Sequence, residues 1–208
     1  VTGSQTDVIA IGRQSQAIEA EAIAVGHEAR ATGIRSTAIG EGAVASAGTS
    51  TALGSGAQAV GINSLAAGAA ASASNDDAMA LGTRAVADGQ QTTAMGADAS
   101  ALGYQTVAIG TGSSTDGNSA VAIGTGANAT NFGTVALGMN STTDGNSTVS
   151  IGRAAQSHGV ESMAMGAESL AEIGGTAVGA RTIATGLLST AVGRSASAAG
   201  GNATAVGV

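Results

Sequence analysis

The sequence predicts an all-β fold, a parallel β-solenoid of about fifteen short coils, and three observations carry that prediction. A short apolar motif ending in glycine recurs at intervals of 14 residues through the whole 208-residue chain. Aromatic side chains are almost absent, with Tyr104 and Phe132 the only two. Glycine supplies 34 residues and proline none. A chain without large side chains cannot fill an ordinary globular interior. A fixed short period is the mark of an array in which each unit packs only on its neighbours.

The repeat runs through Gly12, Gly26, Gly40, Gly54, Gly68, Gly82, Gly96, Gly110, Gly124, Gly138, Gly152 and Gly166 at 14-residue spacing. One interval of 13 leads to Gly179, after which the spacing of 14 returns at Gly193 and Gly207. These fifteen are the expected turn glycines, placed where the backbone needs φ > 0. The residue two before the glycine is alanine in every copy but one, where Ser150 stands. Positions three and five after it are Ala, Ser or Thr in all fourteen complete coils. Each repeat therefore holds two alternating stretches of about four residues, divided by turns. Fourteen residues are too few for a strand plus a helix and enough for two short strands and two tight turns. At roughly 4.8 Å per coil, fifteen coils make a rod of about 70 Å.

The columns also predict which way side chains point. The small residues line a narrow interior shared by the two strands. Positions four and six after the glycine accept Arg30, Asp88, Asp116, Asp144, His158 and Glu172, so they face water. The residue just before the glycine forms a second kind of column: Ile11, Val25, Ile39, Leu53, Leu81, Met95, Ile109, Ile123, Leu137, Ile151, Met165, Val178, Val192 and Val206, with Ala67 as its one gap. None of the 21 charged residues occupies the four positions before the motif glycine. The first strand is thus apolar on both faces. A stripe this long exceeds what a soluble monomer exposes, so the column is expected at the centre of an obligate homo-oligomer. The pattern itself leaves the number of copies open.

The repeating unit is S/T-x-A-φ-G-x-x-A-x-A-x-G, as in NSAVAIGTGA (118–127), RSTAIGEGA (35–43) and NSTVSIG (146–152). It resembles the YadA-like head repeat of trimeric autotransporter adhesins along essentially the whole chain. The resemblance implies a left-handed parallel β-roll, a homotrimer, and display on a Gram-negative outer membrane. It implies attachment to host extracellular matrix proteins, cell-surface receptors or other bacteria, without enzymatic activity or cofactor. On this reading residues 1–208 are one repetitive head domain. No neck, heptad stalk or membrane anchor is visible, and membrane attachment would come through a C-terminal anchor outside the sequence. An inert spacer that holds another module away from the cell is the alternative.

Other functions find little support in the residues. A net charge of −7 without any lysine disfavours nucleic acid. The absence of cysteine removes disulfides and thiol chemistry. The loops Gly110-Thr111-Gly112 and Gly124-Thr125-Gly126 lack the spacing and the lysine of a phosphate loop. The two TDGNS segments, 115–119 and 143–147, read as Asp-Gly turns, since a calcium roll repeats its motif in successive turns. His27 and His158 fall on different edges of the coil, and Asp76-Asp77 sit in an irregular-looking turn region rather than an acid/base pair. An ice-binding solenoid needs a regular threonine array, and a β-helix acyltransferase a hexapeptide period with a loop histidine. Neither pattern is present. No catalytic, cofactor or metal residue is expected, and the ligand itself cannot be read from the columns.

Overall fold

The computed structural model describes residues 7–207, and no helix occurs among them. The chain divides into two compact units, residues 1–105 and 106–208. In the first, seven three-residue strands from Ile9–Ile11 to Thr93–Met95 alternate with seven two-residue strands from Gln16–Ala17 to Ser100–Ala101. In the second, eight three-residue strands from Val107–Ile109 to Thr204–Val206 alternate with seven two-residue strands from Ser114–Thr115 to Ser197–Ala198. Each unit is a parallel β-solenoid whose coils stack like strand on like strand. Ile9, Ala10 and Ile11 pair with Ile23, Ala24 and Val25, and Gln16-Ala17 with Arg30-Ala31.

The strands are shorter than the four-residue stretches of the pattern, but the ladder does not stop at their ends. Glycine and polar residues at the corners continue it. The Gly26 amide donates to the Ile11 carbonyl at 2.8 Å, Glu28 to Arg13 at 3.0 Å and Arg35 to Ala20 at 2.9 Å. Peptide groups thus find their partners in the coil above or below nearly all the way round, which satisfies the backbone without a thick core.

Two β-turns close each coil, shown by Ala29 N–H to Gly26 O at 3.4 Å and Ser36 N–H to Gly33 O at 3.1 Å. The third residue of each turn is left-handed, as a type II turn requires. Many of these residues are not glycine: Gln14, Glu21, Glu28 and Leu188 have φ of 59°, 59°, 57° and 54°. The stacked amides offset a conformational cost of about 1 kcal/mol at each such corner. The Asp76-Asp77 segment, irregular by sequence, is a regular turn of this type. Asp77 has φ of 55°, and Asp76 Oδ1 accepts the Ile62 amide at 2.8 Å.

The motif glycines meet a stricter demand. Fourteen of the fifteen, all but Gly207, have φ between +115° and +141°. A Cβ on Gly124 would lie 2.5 Å from the carbonyl oxygen of Gly138, its counterpart one coil on. Conformation and space both exclude a side chain there.

The interior consists of alanine, serine and threonine. Ala38, Ala45, Ala122, Ala127 and Ala129 are fully buried, and among the described residues no completely buried side chain is larger than threonine. Buried hydroxyls mostly return to a turn carbonyl three residues back, as in Ser64 to Gly61 O, Thr92 to Gly89 O and Ser162 to Gly159 O, all at 2.7 Å. Ser189 Oγ and Thr115 Oγ1 have no partner. An unsatisfied buried hydroxyl is a net cost. Ser189→Ala is expected to raise stability by about 1 kcal/mol, whereas Ser64→Ala is expected to lower it by about as much. Thermal unfolding of the two variants checks this difference in sign.

The 13-residue interval loses its residue in the second turn. Glu172 becomes the first residue of that turn, with Gly175 N–H to Glu172 O at 2.7 Å. Pairing resumes at once, Met163-Ala164-Met165 lying against Thr176-Ala177-Val178.

Candidate functional site

Each coil offers two outward faces and two corners. The three-residue strands turn their outer residues away from the interior and, except in Ile9–Ile11 and Thr204–Val206, bury the middle one, an alanine or Ser150. In Ile23–Val25 and Val121–Ile123 the alanine is fully buried, while its neighbours stay partly or wholly exposed. In each unit the members of the column expected at an oligomer centre lie on this outward face. Ile39 is 42% exposed, Ile123 40% and Val192 38%, and no member of the column is buried. A parallel column three before the glycine joins it with Ile23, Leu65, Met79, Val107, Val121 and Val135, interspersed with threonines. Ala67 sits in register between Leu53 and Leu81, where it thins the stripe.

The opposite outward face belongs to the two-residue strands. Gln16, Arg30, Val44, Gln58, Ser100, Asn128, Thr142 and Gln156 stand on it, each at the outer residue of its strand. Gln14, Gln16, Glu28, Arg30, Gly42 and Val44 line an open groove there. The face is irregular, polar residues interspersed with apolar ones such as Val44, Val60, Leu102 and Ile183, and it repeats at the coil spacing.

Charge is organised in short ladders between adjacent coils. Arg84 grips Asp98 with both Nε and Nη2, at 2.7 and 2.8 Å. Hydrogen bonding to Arg84 holds the Asp98 carboxyl below the usual carboxylate range, and the same contact raises Arg84. Arg35 Nε meets Glu21 at 3.3 Å, and Arg153 pairs with Glu168. His27 stands between Arg13, at 2.8 Å, and Glu28, at 3.4 Å. His158 Nδ1 meets Asp144 at 2.9 Å. The two histidines lie on different parts of the coil, His27 on the corner after the motif glycine and His158 beside the outer face. No cluster of three metal-ligating side chains occurs among the described residues.

The glycine loops are filled by their own stack. The Gly124 amide donates to Ile109 O at 2.8 Å and the Gly126 amide to Thr111 O at 2.9 Å. Those donors are spent on the coil below and do not converge on a common point, as a phosphate cradle demands.

Two features escaped the sequence reading. The repeated TDGNS sets Asp144 against Asp116, two coils earlier, whereas its partner His158 is one coil on. The second turn also carries exposed apolar side chains, Ile34 at 52% and Ile62 at 51% in the first unit, Phe132 at 60% and Leu187 at 57% in the second. Their signal lay in the eighth residue after each motif glycine.

The family model described as the YadA head domain repeat matches residues 9–29, 31–57, 59–85, 87–113, 116–141, 144–169 and 184–208. The stretch 170–183 that it leaves out contains the shortened turn. No curated protein matches the chain. Among solved structures, the collagen-binding domain of the Yersinia adhesin YadA aligns at 23% identity and a TM-score of 0.33, covering 97% of this chain and 81% of that one. With family repeats matched over most of its length, the chain belongs to the YadA head family and is an adhesin-type bacterial surface domain.

Proposed function

We propose that the chain is the non-enzymatic head of a bacterial adhesin, one repetitive domain that works as a homotrimer on the outer membrane. The three-residue strands turn their apolar faces toward a common axis. The irregular faces of the two-residue strands remain outside and bind host extracellular matrix proteins, host cell-surface receptors or other bacteria. The observation that carries this reading is the apolar stripe, thinned at Ala67, on the outward strand face of each unit, whose described interior holds nothing larger than threonine. Without a partner that stripe stays in water, and the self-matching repeat makes another copy of the chain its natural cover.

Repetition suits the outer face to binding. Weak contacts on successive coils and on three copies add through effective concentration, so no single deep pocket is needed. The net charge of −7 and the absence of lysine speak against nucleic acid as the ligand. The test is a binding screen of the assembled protein against immobilised collagen, fibronectin and laminin and against whole cells. Saturable binding to at least one surface, lost when the outer face is altered at Gln58, Ser100 and Asn128, is the expected result. Assembly without binding to any surface contradicts the adhesive role and leaves a spacer.

A further inference from the structure

The two corners of a coil are unlike each other, and their side chains match across the coil. The first corner is the pair of residues after the motif glycine; the second is the pair just before the next buried Ser, Thr or Ala. In three coils both corners carry formal charge, and the signs are opposite each time: Arg13 with Glu21, Glu28 with Arg35, Arg153 with Glu161. These partners cannot meet within one chain. The short strand and its flanks hold the corners on the order of 15 Å apart. The arginine–carboxylate pairs that do form inside the chain join successive coils instead, as Arg35 does with Glu21 and Arg153 with Glu168.

Size follows the same rule. Where the leading residue of the second corner is a large exposed apolar group, the leading residue of the first corner is small in five coils of seven: Ile62 with Ser55, Tyr104 with Ala97, Phe132 with Thr125, Ile173 with Ala167 and Leu187 with Ala180. Where the second corner is Gly48 or Gly201, the first carries Glu41 or Arg194. The leading residues are bulky at both corners in His27/Ile34 and Arg153/Val160, two of the three coils with opposite charges, and Arg181 and Leu188 are both bulky in the trailing places of their coil.

We propose that copies of this chain join corner to corner, the first corner of one against the second corner of the next at the same coil level, so that a closed ring uses one heterologous contact throughout. A second copy of the chain is the occupant of the exposed second-corner column. In a cyclic assembly unlike edges meet at equal height, which is the arrangement that brings Arg153 to Glu161 and Phe132 to Thr125. A shift by one coil would instead set Glu21 beside Glu28 and Glu161 beside Glu168, like charge against like. The inference rests on the proposed homotrimer and adds its contact edge and its register.

The chain has no cysteine, so introduced cysteines report without background. Arg153→Cys combined with Glu161→Cys is expected to give, on mild oxidation, a covalent three-chain species on a denaturing gel. Each single variant is expected to stay uncrosslinked, because like corners do not meet. Crosslinking of a single variant, or preferential crosslinking of Glu161→Cys combined with Ala167→Cys, overturns the contact or its register. Light scattering on the same samples separates the levels of the proposal. A three-chain mass without crosslinks overturns the corner contact alone, and a monomeric mass overturns the oligomer with it.

Discussion

Aspartate placed together at Ile109, Ile123 and Leu137 is expected to abolish assembly while each chain keeps its coil. The three residues are consecutive members of one column, Ile109 paired with Ile123 and Ile123 with Leu137. They point away from the alanine interior, so a single coil loses no packing when they change. Around a common axis, however, the substitution would gather nine carboxylates in a space that holds only aliphatic groups. Unpaired buried charge costs several kcal/mol per ion, and the aliphatic burial it replaces is worth about 1.5–3 kcal/mol per side chain. Together these terms exceed what an interface along a few coils can absorb. Aspartate at Gln58, Ser100 and Asn128, on the opposite outward face, is expected to leave the mass unchanged. Light scattering reads the mass, and circular dichroism checks that β-structure persists.

Gly124→Ala is the second large effect. The native φ of +138° is a region that residues with a Cβ essentially avoid. The new carbon would also lie 2.5 Å from the Gly138 carbonyl oxygen, which is backbone and cannot turn aside. Relief requires the coils to separate, which breaks the Gly138 N–H bond to Ile123 O at 2.8 Å. A loss of about 3–5 kcal/mol is expected, at the extreme of single substitutions. Gly112→Ala is the comparison. Gly112 has φ of +64° and open space where its Cβ would go, and Glu28, Asp98 and Ala154 adopt nearly the same φ at that position in other coils. It is expected to cost about 1 kcal/mol. Equal melting temperatures for the two variants would contradict the account of the motif glycine.

The coil was legible because its constraints act on every repeat in the same way. The alanine two before the motif glycine is fixed by a narrow interior, and the glycine by a conformation and a contact that recur with each coil. Reading columns recovers such rules directly. What the columns blurred is whatever differs from coil to coil. The corner column of Ile34, Ile62, Tyr104 and Phe132 is interrupted by Gly48, Asp76, Gln90 and Asn118, so it reads as a mixed turn. Left-handed Glu21 and Leu188 follow from the stacked turn amides and not from any preference of glutamate or leucine. The pairing of Asp144 with His158 depends on adjacency across one coil, which a search for repeated words passes over. The adhesive face is the least legible part, since Gln58, Ser100 and Asn128 obey no rule beyond facing water.

On the proposed assembly, copies of the same chain cover the apolar outward strand face. The solution mass of the unmodified protein tests it most directly. Multi-angle light scattering is predicted to give three times the 19.3 kDa chain, unchanged on dilution; a stable, well-behaved monomer at the same concentrations would contradict it.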